Sequence, residues 1–150
     1  LEHIEDLMES TDKLVIFAYH RDVVHELVSK LLKYKPVMLI GGMSDEGKRA
    51  AVDAFKYRKE VRIFIGNVVA AGTGIDGLQV AAETALFVEW SWSPGEVNQA
   101  IDRLHRIGQE KPVLAQFLVV DNSIESRMIT SLLGKNRDIY DILDKGRRNV

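Results

Sequence analysis

Cysteine is absent from all 150 residues, which rules out disulfide staples and thiolate metal sites. Proline occurs three times and glycine eleven times, so the composition is that of neither a low-complexity tail nor a fibrous repeat. Long hydrophobic runs are missing too. Val37 to Ile40 and Thr84 to Val88 are among the longest, far below the roughly 20 residues that cross a bilayer. The chain opens without the basic start, apolar centre and small-residue cleavage site of a signal peptide. An excess of positive charge is also lacking. Twenty basic against 22 acidic residues leave a net charge of −2, which excludes a protein that coats nucleic acid unaided and confines any such contact to local groups. The four histidines, His3, His20, His25 and His105, are scattered, so no metal-binding constellation is expected.

What is present is enough apolar material, 46% of residues, for the core of one domain. Leu14 to Tyr19, Val37 to Ile40, Val61 to Ile65, Ala85 to Val88 and Val113 to Val120 read as buried strands. Between them fall helical patterns: one carries Val24, Leu27, Val28, Leu31 and Leu32 on a single face, and another runs through Phe55 with Ser44 as its capping residue. Ser93-Pro94-Gly95-Glu96 signals a third, with a capping serine, proline at the first position and glutamate at the third, and Gly108 is its expected end. A last pattern runs from Asn122 and Glu125 towards Gly146. Continuously apolar strands alternating with helices predict a parallel sheet covered on both faces, a three-layer α/β/α fold. The expected organisation is an acidic segment over 1–12, an α/β core over 13–120, and a C-terminal helix with a basic tail over 121–150. In such folds ligands bind beyond the carboxyl ends of the strands.

Two phosphate-binding motifs are approached and missed. Gly42 to Arg49 nearly spells G-x-x-x-x-G-K-[ST], but Arg49 stands where a magnesium-binding hydroxyl belongs, and Asp45 and Glu46 place negative charge in the cradle. A capped helix start is the better reading. Gly72-Thr73-Gly74-Ile75-Asp76-Gly77 spells G-x-G-x-x-G, with Glu89 as a candidate ribose acid, yet no crossover helix fits between Ile65 and Thr84.

The third motif stands on a helix. Val97, Ala100, Ile101, Leu104 and Ile107 make one apolar stripe, and at about 100° per residue Gln99, Arg103 and Arg106 share the opposite side. Planar cationic forks suit phosphate oxygens and could stabilise a phosphoryl-transfer transition state. By spacing alone, a solvated surface explains the row as well.

The identity of these residues adds more. Gln99-Ala100-Ile101-Asp102-Arg103-Leu104-His105-Arg106-Ile107-Gly108-Gln109, preceded by Trp92-Ser93-Pro94, resembles the last helicase motif of the Swi/Snf family of DNA-dependent ATPases in helicase superfamily two. Val15 to Tyr19, Ile40 to Ser44, Ala70 to Asp76 and Asn122 to Asp144 resemble other segments of that family's second lobe. Ala71, where many members have glycine, looks like the fork-remodelling, annealing-helicase branch.

The resemblance implies the second of two RecA-like lobes, with ATP and Mg2+ held mainly by an absent first lobe and DNA running across both. Arg103 and Arg106 would act as arginine fingers supported by Gln99. Gly72, Gly74 and Asp76 would couple the nucleotide to DNA, and Gly42, Met43, Ser44, Asn67, Thr73 and Trp92 would meet the DNA backbone, although Trp92 is equally readable as core. The implied partners are the first lobe and DNA without sequence preference, with no membrane and a monomeric state. An intracellular location is expected, cytoplasmic in a bacterium or virus and nuclear in a eukaryote. Asn67-Val68-Val69 departs from the family's Ser-Thr-Arg or Ser-Thr-Lys, losing a hydroxyl and a cation. Spacing one residue short leaves open which of Lys48 and Arg49 matches the family arginine. A stand-alone, non-catalytic interaction module with the same fold is the alternative.

Overall fold

The computed structural model describes residues 1–71, 76–90, 93–119 and 123–135. Among these, β1 (Leu14–Ala18), β2 (Val37–Leu39), β3 (Ile63–Asn67), β4 (Thr84–Phe87) and β5 (Leu114–Phe117) form one sheet in the order β2-β3-β1-β4-β5. Every pairing is parallel, with Ile16 facing Ile65 on one side and Leu86 on the other. Successive side chains of a strand point to opposite faces. Val15 and Phe17 accordingly join one apolar cluster, while Leu14, Ile16 and Ala18 join a second. Burial on both faces is what made these strands continuous apolar runs.

Helices cover both faces. On the first, α3 (Asp45–Tyr57) contributes Val52 and Phe55, and α5 (Pro94–Asp102) contributes Val97, Ala100 and Ile101. On the second, α1 (Glu2–Ser10) buries Ile4 and Met8, and α2 (Arg21–Lys30) buries Val24. The short α4 (Val68–Ala71) follows β3, and α6 (Ile124–Lys135) follows β5. This is the expected RecA-like α/β/α arrangement. Under α5 the rings of Phe17 and Phe87 lie 4.9 Å apart, Phe87 stacks on Phe117 at 4.6 Å, and Trp90 meets Phe117 edge-on at 5.6 Å.

Several details differ from the expectation. The acidic first segment folds as α1, because Ile4 and Met8, four residues apart, share one helix face. Its end is held by Arg62, whose guanidinium donates to the carbonyls of Met8 (2.9 Å), Thr11 (2.8 Å) and Asp12 (3.0 Å). β3 begins at Ile63, two residues later than the apolar run. Ser93 occupies the cap position of α5 but makes no side-chain cap bond, whereas Ser44 Oγ accepts from the Gly47 amide at 3.1 Å. The largest correction concerns the end of α5. The Arg103 and Leu104 amides bond three residues back, to Ala100 and Ile101, which closes the helix at Asp102 instead of near Gly108. Leu104 remains buried, but Ile107 leaves the predicted core stripe and is 99% exposed. The last helical pattern is seen to Lys135; its continuation, like Val120 and Asn122, lies outside the described residues.

Candidate functional site

At the carboxyl ends of the strands, the chain after β2 turns through Gly42, whose φ is +86°, a conformation natural to glycine. Met43 anchors the turn. Its sulfur accepts from the Ile40 amide at 3.3 Å, and its side chain packs against both clusters. Ser44 then starts α3, and Lys48 pairs with Asp45 at 3.6 Å while Arg49 is exposed. The near-miss phosphate loop is therefore a capped helix start carrying surface charge. Asn67 ends β3 with its carboxamide turned inward. Its Nδ2 donates to the Tyr19 carbonyl, and its Oδ1 accepts from the amides of Val69 (3.1 Å) and Ala70 (3.2 Å). Beyond β4, Glu89 accepts from the Tyr19 amide (3.2 Å), the His20 amide (3.0 Å) and His20 Nδ1 (3.1 Å). Glu89 thus clamps the start of α2. Trp90 is partly buried against the first apolar cluster; Trp92, with Gly72, Thr73 and Gly74, lies outside the described residues.

The arginines form a second surface. Gln99, Arg103 and Arg106 line one depression of about 290 Å3 together with Asp102 and His105. Arg106 Nη1 lies 3.4 Å from Asp76 Oδ1, and Gln79 Nε2 donates to the same oxygen at 3.0 Å. Gln79 also accepts from the Gly77 amide at 2.9 Å and donates to the Ile107 carbonyl at 3.5 Å. The hydrogen bond from Gln79, then the nearby guanidinium of Arg106 and, more weakly, that of Arg103, hold the Asp76 carboxyl below its usual range. Arg106 is thus clasped at neutral pH, and the clasp fades only as pH falls below the ordinary aspartate range.

This cluster does not lie beyond the carboxyl ends of the strands, where the chemistry was expected. α5 carries its last turn back across the sheet, and the segment after it meets the start of β4. Gln109 Nε2 donates to the Ala82 carbonyl at 2.9 Å, and Lys111 pairs with Glu83 at 3.3 Å. Nine helical residues advance about 13 Å, enough to separate the two surfaces. Gln79 is a participant that the sequence reading missed; its spacing of three from Asp76 was the available signal. Gly77 makes the bend, with φ +113° and Val52 Cγ1 3.4 Å from where a Cβ would stand. Gly77→Ala is expected to cost about 1–2 kcal/mol, mainly through the left-handed backbone. A lowered urea midpoint would show this; an unchanged one would mean that the bend relaxes freely.

Among the described residues no three His, Asp or Glu side chains converge as a metal site. No helix there is long and apolar enough to cross a membrane.

Comparison with known proteins places these features in context. Residues 1–108 match the profile of the helicase conserved C-terminal domain. The chain is 32% identical over 149 residues to the ATP-dependent helicase FUN30 of Saccharomyces cerevisiae, spanning 96% of this chain and 13% of that protein. It is 29% identical over 140 residues to the SWI/SNF-related matrix-associated actin-dependent regulator of chromatin subfamily A-like protein 1 of Drosophila melanogaster, spanning 91% of this chain and 18% of that protein. The crystal structure of the C-terminal part of the Fun30 ATPase domain superimposes with a TM-score of 0.74 at 28% identity, covering 86% of this chain and 43% of that one. The chain therefore spans less than a fifth of the length of these two relatives.

Proposed function

Since the chain belongs to the helicase conserved C-terminal domain family and its relatives include Swi/Snf-type ATPases, we propose that it is the second motor lobe of an ATP-dependent double-stranded DNA translocase or remodeller. The observation that carries this reading is the convergence of Gln99, Arg103 and Arg106 on one depression. Two guanidinium groups and an amide suit the oxygens of a transferring phosphoryl group, whose developing charge they would stabilise. Mg2+ would neutralise phosphate charge from the first lobe, because Gln99, Arg103 and Arg106 fit phosphate and no three His, Asp or Glu side chains converge as a metal site among the described residues. Asp76 holds Arg106 in place until a phosphate competes for it. Gly72 and Gly74, outside the described residues, keep the nucleotide-coupling role that the resemblance implies.

The other surface would track DNA. The exposed backbone at Gly41 and Gly42, the hydroxyl of Ser44, and Lys48 and Arg49 offer donors to phosphates, with Met43 and Asn67 holding the loops in place. Thr73 and Trp92 would extend this contact. Phosphate contacts carry no sequence information, so binding would be indifferent to sequence. The lobe alone lacks the magnesium-binding half, so the purified chain should hydrolyse ATP no faster than background, whereas the same chain joined to its first lobe should show DNA-stimulated turnover. DNA-stimulated hydrolysis by the highly purified chain alone would overturn the division of labour.

A further inference from the structure

The two loops that lead into β2 and β3 are basic around a tyrosine: Lys33-Tyr34-Lys35 and Lys56-Tyr57-Arg58-Lys59. Because β2 and β3 are parallel neighbours, both loops lie at the amino ends of the strands. The Arg62 amide ties one to the other by donating to the Tyr34 carbonyl at 3.0 Å. Part of the charge at this rim is used within the lobe. Lys30 pairs with Glu26 and Lys33 with Glu5, Lys13 and Arg62 donate to backbone carbonyls, and Asp53 and Glu60 act on Lys56 and Lys13. Lys35, Arg58 and Lys59 are exposed and have no carboxylate partner among the described residues. Tyr34 packs against the second apolar cluster, whereas Tyr57 is 71% exposed, with Lys56 Nζ 4.9 Å from its ring centroid. Lys35 stands at φ +47°, the one non-glycine residue among those described with a left-handed backbone. Glycine would hold that turn with less strain, so the lysine side chain is presented at a cost to the fold.

We propose that this rim binds single-stranded nucleic acid, with Tyr57 as a stacking platform for an unpaired base and Lys35, Arg58 and Lys59 as contacts to its phosphates. A chain of net charge −2 that gathers three cations without carboxylate partners at one edge offers a local site for a polyanion. The exposed ring selects among polyanions. In a duplex the base faces are stacked on one another, and the carboxylates of an acidic peptide gain nothing from the negative face of a ring. An unpaired base stacks on an aromatic ring whatever its sequence. The rim is also distinct from the surface at Gly42 and Ser44: α3 starts at one and ends at the other, and its 13 residues advance about 20 Å. A strand held here is a second nucleic-acid contact, and the inference stands without the motor-lobe reading.

The test titrates the full 150-residue chain with a labelled oligothymidylate at several salt concentrations, beside a blunt duplex and a polyglutamate peptide, for the parent, Tyr57→Ala, Tyr57→Phe and Lys35→Gly. The parent should bind the single strand with an affinity that falls as salt rises. Tyr57→Ala should weaken that binding on the order of tenfold or more, and Tyr57→Phe should retain it because the ring remains. Lys35→Gly should lower affinity and make the dependence of log affinity on log salt shallower by about 0.7, the share of one phosphate contact on a single strand. Its melting temperature should hold or rise, since glycine relieves the left-handed backbone, so a loss of binding there is not a loss of fold. No binding of the oligothymidylate by the parent, or unchanged affinity in Tyr57→Ala, would overturn the site. A loss in Tyr57→Ala as large for the duplex or for polyglutamate as for the single strand would overturn the assignment of the ligand. A drop in Arg49→Ala equal to that in Tyr57→Ala would put the strand on the opposite surface and overturn it as well.

Discussion

Replacing Arg106 with alanine in the two-lobed protein is expected to lower ATP turnover about a thousandfold, the typical contribution of an arginine finger, while the lobe stays folded. The folding half rests on position: Arg106 lies beyond the end of α5, its side chain is 40% exposed, and its partner Asp76 is exposed as well. An exposed ion pair contributes little to stability. Arg103→Ala should cause a similar loss of turnover with a larger effect on melting, because this half-buried residue caps α5. Nucleotide affinity should change far less, since the first lobe would supply most ground-state contacts. Lysine should rescue poorly at either site, as a point charge cannot reproduce a bidentate fork. Near-normal turnover in both alanine variants would remove the finger assignment. Lost turnover with a collapsed melting transition would make these arginines structural.

The largest expected effect on stability belongs to Phe87→Ala. Phe87 is wholly buried on β4 and joins Phe17 at 4.9 Å to Phe117 at 4.6 Å. Truncation would remove both ring contacts and leave a cavity beneath α5, at a cost of about 3–5 kcal/mol. Against a total stability of roughly 5–15 kcal/mol, the melting temperature should fall on the order of 10 °C. A fall of only a degree or two, read by calorimetry, would show that the α5 layer collapses into the space.

The strands were legible in the sequence because burial on both faces leaves an uninterrupted apolar run. The cap of α3 was legible because Ser44 needs only Gly47, three residues on. Gln99, Arg103 and Arg106 were brought together by helical period alone, although Arg106 stands past the point where the helix closes. That point was not readable, since it depends on a local shift in hydrogen bonding at Arg103 and Leu104 and not on Gly108. The clamp of Glu89 on Tyr19 and His20 and the bond of Gln79 to Ile107 join residues distant in sequence, and no local pattern announces such pairs. In α1 the many acids masked an apolar face of Ile4, Leu7 and Met8.

The position of β1 in the middle of the sheet has a consequence for the chain as it is made. β1 is the first of the described strands, yet its two neighbours are β3 and β4, so one of its hydrogen-bonding edges stays open until Asn67 has been synthesised and the other until Phe87. At roughly 5–20 residues per second, the stretch from Ala18 to Phe87 takes on the order of several seconds. During that interval Leu14-Val15-Ile16-Phe17-Ala18 is an uncharged, β-prone segment with at least one unpaired edge, the kind that nucleates aggregation. Shielding of those five residues on the ribosome would protect the lobe from that fate, and the acidic helix that precedes them can cover one face early, since Ile4 and Met8 pack with Leu14, Ile16 and Ala18.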